Sequence, residues 1–393
     1  LTQALIRGSV DDMGLIDFLV KGIWVLMGNY DQDDARISAE LCILEMLKSG
    51  TTAFVESMLA LHYGFDGIAR VVERSGIRAA LAKTVLDTPS YVEGYPMHQG
   101  MVEDRDAAFQ QALDMHAKWD GAADGRIQVW FGPRPPGGCS PELYREMMAA
   151  ANERGMGVTM HLAEVQEDVA YIRQQYGMRP VEFVESVGMS GPRVLLIHTV
   201  WLDDEDIKRL AETGTHVTHN PISNTKLASG IAPIPAMLSA GVNVSLGTDA
   251  GTCNNTYDMI HDMRWASALH KVNHFEPTIT PCETVLEMAT INGARAMGLE
   301  TEIGSLEVGK RADFVALDMD KPHLVPVSDP VSAIVFAANG SDVDTVVIDG
   351  KIVVERGQAM TLDEERILHE AKEKAGKVYH KAGVAHGPRW PLI

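Results

Sequence analysis

The sequence contains few cysteines and no long apolar run. Four of its 393 residues are cysteines, and no two of them form a Cys-x-x-Cys pair. This spacing supplies neither a disulfide framework nor a structural zinc knuckle, and it favours a reducing compartment. No stretch approaches the roughly 18 consecutive apolar residues that a membrane-spanning helix requires. The composition therefore predicts a cytoplasmic protein with no membrane partner.

Positive charge is also scarce. The chain has 34 Lys and Arg residues against 54 Asp and Glu residues, which gives a formal net charge of -20. Nucleic acids and anionic membranes are bound through clustered Lys and Arg side chains, so neither is an expected partner. An acidic chain of this length suits a small-molecule substrate, and it can form one barrel of roughly 250 to 300 residues plus a smaller unit.

Apolar runs recur along the chain, and several of them end in a side chain that can bind a metal or carry a proton. Three such runs end in His161, His198 and Asp249. Each run is typical of a buried parallel strand. In a closed α/β barrel the carboxyl ends of the strands meet on one face, where active sites lie. We therefore expect these three side chains to lie close together.

Seven strands are predicted before residue 250, and helices separate them. The predicted strands are residues 50–56, 77–85, 127–131, 157–161, 194–198, 215–218 and 242–246. Strands that alternate with helices over about 250 residues indicate a (β/α)8 TIM-type barrel, which needs an eighth strand. We expect that strand, the first of the barrel, to lie before Leu1.

The pattern changes beyond residue 300. A strand is predicted at 313–317, and a hairpin at 345–354 turns at Asp349-Gly350, a pair typical of a type I′ turn. These strands predict a small β-subdomain. The predicted divisions are a barrel at 1–300, the β-subdomain at 301–358, and a C-terminal helix and tail at 359–393, with the irregular tail at 386–393.

The residues at the strand ends suit metal-assisted hydrolysis. A bound divalent metal lowers the pKa of water enough for attack near neutral pH, and imidazole and carboxylate ligands suit zinc or ferrous iron. His161 and Asp249 are the expected ligands, and Asp249 can also accept the proton of the water. Glu164 is expected to carry a proton to the substrate nitrogen or to the leaving group, and His198 to orient the nucleophile or to polarise the tetrahedral intermediate. Catalytic sites usually have three or more protein ligands, so others are expected elsewhere.

Four segments carry a family resemblance. Residues 161–164, 198–202, 219–233 and 246–259 resemble the amidohydrolase superfamily, and within it the branch of methylthioadenosine/S-adenosylhomocysteine deaminases and s-triazine chlorohydrolases and aminohydrolases. The resemblance implies a distorted (β/α)8 barrel with a β-sandwich. It also implies one divalent metal, Zn²⁺ or else Fe²⁺, held by His161, Asp249 and a His-x-His pair. That pair would end immediately before Leu1, so this chain as printed is expected to bind metal poorly or to be inactive.

The resemblance also suggests substrate-binding positions, and several differ from those of nucleoside deaminases. Arg134 replaces a histidine that faces the purine, and Met27 replaces a glutamate that holds the ribose diol, while Phe18 aligns with an apolar aromatic partner. A methionine cannot accept hydrogen bonds from a diol, so a smaller or more apolar N-heterocycle is expected. Arg134 could bind a carboxylate, a carbonyl or a ring nitrogen, or could lie outside the site. Glu164 and His219 are expected to contact the substrate.

These observations predict a hydrolase that replaces an exocyclic amine, or a leaving group such as chloride, on an N-heterocycle by hydroxyl. Two alternatives remain open: a cyclic amidohydrolase, and a catalytically inactive homologue without the His-x-His ligands. Family habit suggests a homodimer or a larger assembly. Cys253 is expected to be a small buried side chain rather than a nucleophile. No motif surrounds His261, His270 and His274, which are expected on a helix surface.

Overall fold

A parallel sheet of seven strands forms the centre of the fold. The computed structural model describes residues 1–90 and 94–384, so the tail predicted at 386–393 lies outside the described residues. The seven strands are β1 (Ala53–Leu59), β2 (Arg78–Val85), β3 (Ile127–Pro133), β4 (Val158–Leu162), β5 (Val194–His198), β6 (His216–His219) and β7 (Val244–Leu246). They pair in chain order, and every pairing is parallel. This is the arrangement of a (β/α)8 barrel with seven of its strands described.

Helices follow most of these strands. The α-helices before β6 are α1 (Leu15–Asp17), α2 (Trp24–Met27), α3 (Gln32–Lys48), α4 (Phe65–Ser75), α5 (Arg105–Trp119), α6 (Ala122–Gly125), α7 (Pro141–Arg154), α8 (Gln166–Tyr176), α9 (Pro180–Ser186) and α10 (Asp204–Thr213). Those after β6 are α11 (Pro221–Lys226), α12 (Ile234–Ser239), α13 (Met259–His274), α14 (Cys282–Ala289), α15 (Ile291–Ala296), α16 (Pro330–Ser332) and α17 (Glu364–Ala382). Short 3₁₀ or π turns occupy Ala4–Ile6, Phe18–Ile23, Leu61–Tyr63, Gln99–Met101, Ala333–Ala337 and Gly340–Asp342. None of the helices in the described ranges is both long and apolar enough to cross a membrane.

The strands separate two apolar regions because successive side chains point to opposite faces. In β2, Ala79 and Leu81 belong to the large core that also contains the helices. Ala80 and Ala82 belong to a smaller cluster with Trp130 of β3. The small cluster lies on the inside of the curled sheet, and some of its side chains line the cavity described below.

The first predicted strand begins three residues later than expected. Residues 50–56 were the predicted range, but β1 begins at Ala53. Gly50 has a φ of +92°, and the Thr51 N–H donates to the Met46 carbonyl, which closes the end of α3. Gly50 therefore terminates a helix before the strand can start, because a left-handed residue at this position favours glycine.

A second, antiparallel sheet follows the barrel. Its strands are β8 (Phe314–Leu317), β9 (Val343–Ile348), β10 (Lys351–Glu355) and β11 (Gln358–Ala359), in the order β11-β10-β9-β8. The predicted hairpin is confirmed: Asp349 and Gly350 both have positive φ, at 52° and 75°, as a type I′ turn requires. The last helix, α17, returns to the barrel, where Arg366 donates to Glu40 of α3 at 3.0 Å.

A buried ion pair joins the second sheet to the barrel. The guanidinium of Arg78 in β2 donates three hydrogen bonds of 3.1–3.3 Å to the Asp313 carboxylate, and both side chains are at most 2% exposed. Asp313 also accepts the Asp349 N–H at 2.7 Å. Loss of the carboxylate would leave a buried cation without its counter-ion, which is more costly than losing an exposed pair.

We predict that Asp313→Ala lowers the free energy of unfolding by about 3 to 5 kcal/mol, as measured by chemical denaturation. Lys208→Ala is the matched control, because Lys208 and Glu212 form an exposed pair at 3.8 Å. That control should change the free energy by less than about 0.5 kcal/mol. Equal effects of the two substitutions would show that the buried pair does not hold the second sheet to the barrel.

Candidate active site

The carboxyl ends of β4, β5 and β7 bring four titratable side chains together. His161 lies near the end of β4 and Glu164 just beyond it, His198 ends β5, and Asp249 follows β7 by three residues. The pairing of β4 with β5 sets Leu162 against His198, which places the two histidines on adjacent strands. The structure thus gathers the residues that the strand-end pattern selected, while their individual roles stay predictions.

The distances between these groups are short. His198 Nε2 lies 3.4 Å from Glu164 Oε2 and 3.9 Å from Asp249 Oδ2. The ring centroids of His161 and His198 are 5.2 Å apart. Nitrogen and oxygen atoms of His161, His198 and Asp249 all lie within 4.8 Å of one another, so these three side chains could hold one metal ion.

The backbone at these strand ends is strained. Ala163, His198, Thr199 and Asp249 have φ values of 50°, 70°, 48° and 60°. Non-glycine residues enter this left-handed region rarely, and each instance costs free energy. The strain turns the chain sharply at the end of β5 and after β7, which directs His198 and Asp249 toward the same point. Such strain persists only where surrounding contacts maintain it, as they do here.

Burial sets the protonation of the cluster. It lowers the pKa of His161 and of His198, so both imidazoles are neutral near pH 7 and retain a lone pair for a metal or a proton. Burial raises the pKa of Glu164 well above its usual range, and the nearby charge of Asp249 raises it further. Burial also acts to raise the pKa of Asp249, but His198, His161 and hydrogen-bond donors outweigh it and leave that pKa lowered.

Hydrogen bonds hold the Asp249 carboxylate in place. The Ser223 hydroxyl donates to Oδ2 at 2.6 Å, and the Ala250 N–H donates to Oδ1 at 2.7 Å. The loop after Asp249 is held by Asn254, whose Nδ2 donates to the Thr248 carbonyl at 2.8 Å and to Asp262 Oδ2 at 2.9 Å. Asp249 is therefore an ionised, oriented ligand candidate.

The cluster fits a divalent metal. His161 Nδ1 is buried and has no hydrogen-bond partner among the described residues, which leaves a neutral imidazole without the contact that usually fixes it. Two imidazoles and one carboxylate are donors that zinc and ferrous iron accept. The sequence pattern named His161 and Asp249 as ligands, and the geometry adds His198 as a third residue within reach.

A cavity of about 730 Å³ opens on this cluster. His161 and Asp249 line it, while Glu164 and His198, each at most 6% exposed, lie behind them and are not among the described lining residues. The cavity continues along the sheet interior between β1 and β7. A volume of this size suits a small-molecule ligand.

The predicted substrate-binding residues divide into two groups. Arg134 and Met27 line the cavity, and the Arg134 guanidinium lies 5.3 Å from the ring centre of Trp24, which also lines it. Phe18 is 1% exposed within the core, and His219 is fully buried, so neither is among the described residues that line the cavity. Arg134, directly after β3, and Met27, at the end of α2, therefore lie in the wall of the cavity.

The expectation that His270 lies on a helix surface is wrong. His270 is fully buried, and its Nε2 lies 3.2 Å from His219 Nε2, whereas His274 is exposed and His261 is half-buried on the helix surface. Helix α13 turns this one histidine inward, and the sequence around it gives no signal because its partner is 51 residues away. The prediction that Cys253 is a buried small side chain is confirmed.

Sequence reasoning also missed three polar residues that contact the cluster. They are Ser223, Asn224 and Ser229, all within the segment 219–233. The available signal was the run of small polar residues directly after a barrel strand. Short side chains at that place can contact only the residues at the ends of neighbouring strands.

Strand-end histidines and carboxylates that can hold a divalent ion beside a cavity, on a parallel barrel, define a metal-dependent hydrolase. The chain belongs to the amidohydrolase family: residues 1–353 match that family. The resemblance seen in the motifs is confirmed.

Similar proteins are deaminases. The chain is 39% identical over 380 residues, 97% of its length and 84% of the relative's, to a 5′-deoxyadenosine deaminase from Methanosarcina acetivorans. It is 40% identical over 376 residues, 96% of its length and 84% of the relative's, to a 5-methylthioadenosine/S-adenosylhomocysteine deaminase from Desulforudis audaxviator.

Solved structures agree with the fold. An adenosine deaminase from Xanthomonas campestris with bound zinc superposes with a TM-score of 0.89 at 30% identity, over 96% of this chain and 83% of that one. The zinc complex of an atrazine chlorohydrolase from Arthrobacter aurescens TC1 superposes with a TM-score of 0.87 at 24% identity, over 95% of this chain and 85% of that one. The second likeness supports the TIM-type fold alone.

We predict that His270→Ala lowers the free energy of unfolding by about 2 kcal/mol or more, because it empties buried space and leaves His219 without its ring partner. His274→Ala, one turn later and exposed, is the control and should change the free energy by less than about 0.5 kcal/mol. A calorimetric melt of both variants measures the difference. Equal melting temperatures would mean that the histidine pair does not stabilise the fold.

Proposed function

We propose that this protein hydrolyses an N-heterocycle, replacing an exocyclic amine by hydroxyl. One observation carries the proposal. Ligand atoms of His161, His198 and Asp249 lie within 4.8 Å of one another, Glu164 lies 3.4 Å from His198, and a cavity of about 730 Å³ adjoins them. A neutral acid, two neutral imidazoles and an ionised carboxylate supply the proton donor, lone pairs and negative charge that hydrolytic deamination requires.

We propose zinc as the metal, because the similar adenosine deaminase from Xanthomonas campestris was solved with bound zinc. His161 and Asp249 would hold it, and His198 lies within reach of the same ion. When bound, a divalent metal makes water nucleophilic near neutral pH. Ferrous iron would accept the same donors, so metal analysis has to discriminate between the two.

The side chains divide the proton transfers. Asp249 is ionised and accepts a proton from the attacking water, while Ser223 keeps its carboxylate oriented. Glu164 keeps its proton at neutral pH because of its raised pKa, so it can donate to a ring nitrogen as the adjacent carbon is attacked. Asp249 then passes its proton to the exocyclic amine, which leaves as ammonia when the C–N bond breaks, and the ring nitrogen returns its proton to Glu164. His198 Nε2, 3.4 Å from Glu164 and 3.9 Å from Asp249, accepts a hydrogen bond from the attacking water and so orients it.

The cavity wall supports a substrate other than a nucleoside. Met27 lies in the wall where the family resemblance places a diol-binding glutamate, and its thioether sulfur is only a weak acceptor of a hydrogen bond from a hydroxyl. Arg134 is 6% exposed and stacks on Trp24, so its guanidinium is oriented rather than free in solvent. A fixed planar donor of this kind suits a carbonyl, carboxylate or ring nitrogen on the heterocycle.

A 5′-deoxynucleoside is the second candidate substrate. It is favoured by the relatives that are 39% and 40% identical, whose names specify 5′-deoxyadenosine and 5-methylthioadenosine/S-adenosylhomocysteine. A chloride leaving group, a cyclic amide and an inactive homologue are less well supported, because a protonated Glu164 beside the cluster favours protonation of a ring nitrogen during deamination. The assay below tests them together.

Two further features complete the proposal. We propose a homo-oligomer, supported by the apolar stripe on α13 where Trp265, Val272 and the adjoining Phe275 are 43%, 66% and 92% exposed. Trp265 and Val272 are seven residues apart, so they lie on one face of the helix, and an exposed apolar helix face is typical of an interaction surface. A cytoplasmic location is supported by the free state of all four cysteines.

We predict that Asp249→Asn reduces bound zinc and lowers ammonia release by about 100-fold or more, because it removes an anionic ligand and proton acceptor. Metal content and ammonia release would be measured with aminotriazines, aminopyrimidines, aminopurines and 5′-deoxyadenosine. Both measurements should be repeated with any residues that the gene encodes upstream of Leu1.

Asp204→Asn, a first-turn residue of the distant helix α10, is the control and should leave both quantities unchanged. The proposed function would be contradicted if neither bound metal nor released ammonia were found, both for this chain and for the chain with its upstream residues. Release of chloride or opening of a cyclic amide without ammonia would contradict the deaminase reaction alone.

We predict that Met27→Glu raises kcat/KM for 5′-deoxyadenosine about tenfold or more, because a charged acceptor can then bind the ribose diol. Met27→Gln, which lacks the charge, should give a smaller gain. The proposal of a non-nucleoside substrate fails if the unmodified protein already deaminates 5′-deoxyadenosine faster than the triazines and pyrimidines.

A further inference from the structure

One short segment contacts three of the four residues in the cluster. Within residues 223–229, Ser223 donates to Asp249 at 2.6 Å, and Ser229 donates to Glu164 Oε1 at 3.3 Å. Between them, Asn224 Oδ1 lies 2.9 Å from His198 Nδ1. The segment starts within helix α11, which follows β6 closely. Its side chains can therefore reach the ends of β5 and β7, the strands on either side of β6.

We infer that Asn224 is a positioning residue that fixes the tautomer and ring orientation of His198. The inference rests on the proposed function, in which His198 acts through Nε2. A hydrogen bond from Nδ1–H to the Asn224 oxygen places the proton on Nδ1. The lone pair of Nε2 then faces Glu164 and Asp249, the side on which the reaction takes place.

Burial makes this hydrogen bond decisive. His198 and Asn224 are each 1% exposed, so water cannot replace Asn224 as the partner of Nδ1. Without an acceptor, the neutral ring would place its proton on Nε2, where the Glu164 oxygen lies 3.4 Å away. That tautomer has no lone pair on the reacting side, and its Nε2–H donates to the Glu164 oxygen.

The backbone holds Asn224 rigidly. Its N–H donates to the Asn220 carbonyl at 3.0 Å, and its own carbonyl accepts the Ser229 N–H at 2.9 Å. These two bonds fix the backbone on both sides of the Asn224 side chain. The side chain therefore has little freedom to follow His198 if the ring turns, and the amide determines where the ring lies.

The test compares Asn224→Leu, which removes the acceptor at similar size, with Asn224→Asp, which keeps an acceptor oxygen. Activity on the best substrate of the panel and bound zinc per chain would be measured for each. We expect Asn224→Leu to lower kcat about 10- to 100-fold, as loss of a residue that orients an active-site group commonly does. KM and zinc content should stay within about twofold of the parent, and Asn224→Asp should recover most of kcat.

Thr225→Val is the matched control, because the Thr225 hydroxyl, among the described residues, bonds within its own helix to the Pro221 carbonyl at 2.7 Å. It should leave kcat unchanged. The inference is overturned if Asn224→Leu and Asn224→Asp lose kcat equally, or if Asn224→Leu loses kcat only in proportion to lost zinc or lost folded protein.

A second readout separates this inference from the proposed function. Two-bond ¹⁵N–¹H correlation spectra of histidine-labelled protein report the tautomer directly, with the His198 signal assigned by its loss in His198→Gln. We expect the Nδ1–H form in the parent and in Thr225→Val, and the Nε2–H form in Asn224→Leu. Observation of the Nε2–H form in the parent would overturn the inference even in an active enzyme. The Nδ1–H form in a protein inactive on every substrate would uphold the positioning role while the proposed reaction fails.

Discussion

Burial of four titratable side chains in one small volume is the constraint on which this structure depends. A buried carboxylate or imidazole is tolerated only when hydrogen bonds replace lost water or when its pKa shifts to the neutral form. Both solutions are present: Asp249 stays ionised under two donors, while Glu164 and the two histidines are neutral. The positive φ values at His198 and Asp249 belong to the same solution, because they turn each side chain toward its partners.

The rest of the molecule supplies rigidity to that cluster. Parallel strands fix the spacing of the residues at their ends, and the small cluster around Trp130 packs inside the sheet. The Arg78–Asp313 pair joins the second sheet to the start of β2, and α17 returns to α3 through Arg366. Each connection pairs a cation with a carboxylate across elements that are distant in sequence, so the barrel is held from outside as well as within.

Sequence reasoning found the features that follow from local patterns. Apolar runs that end in His161, His198 and Asp249 predicted both the strands and their meeting point, because strand geometry relates sequence position to location in a barrel. The inward turn of His270 and the contact of Asn224 with His198 were not predictable in this way. Each depends on a partner 26 or more residues away, and a residue type alone does not indicate which distant side chain it will meet.

The division between strand ends and cavity wall explains why chemistry is easier to infer than substrate. The proposed proton transfers constrain the distances among Glu164, His198 and Asp249, which the barrel sets by its strand spacing. The residues proposed to select the substrate, Met27 and Arg134, lie on the wall formed by α2 and the end of β3. A change at either position alters what the wall can bind without moving a strand end. The stacking of Arg134 on Trp24 holds a cation in that wall, and a buried cation requires an electron-rich partner.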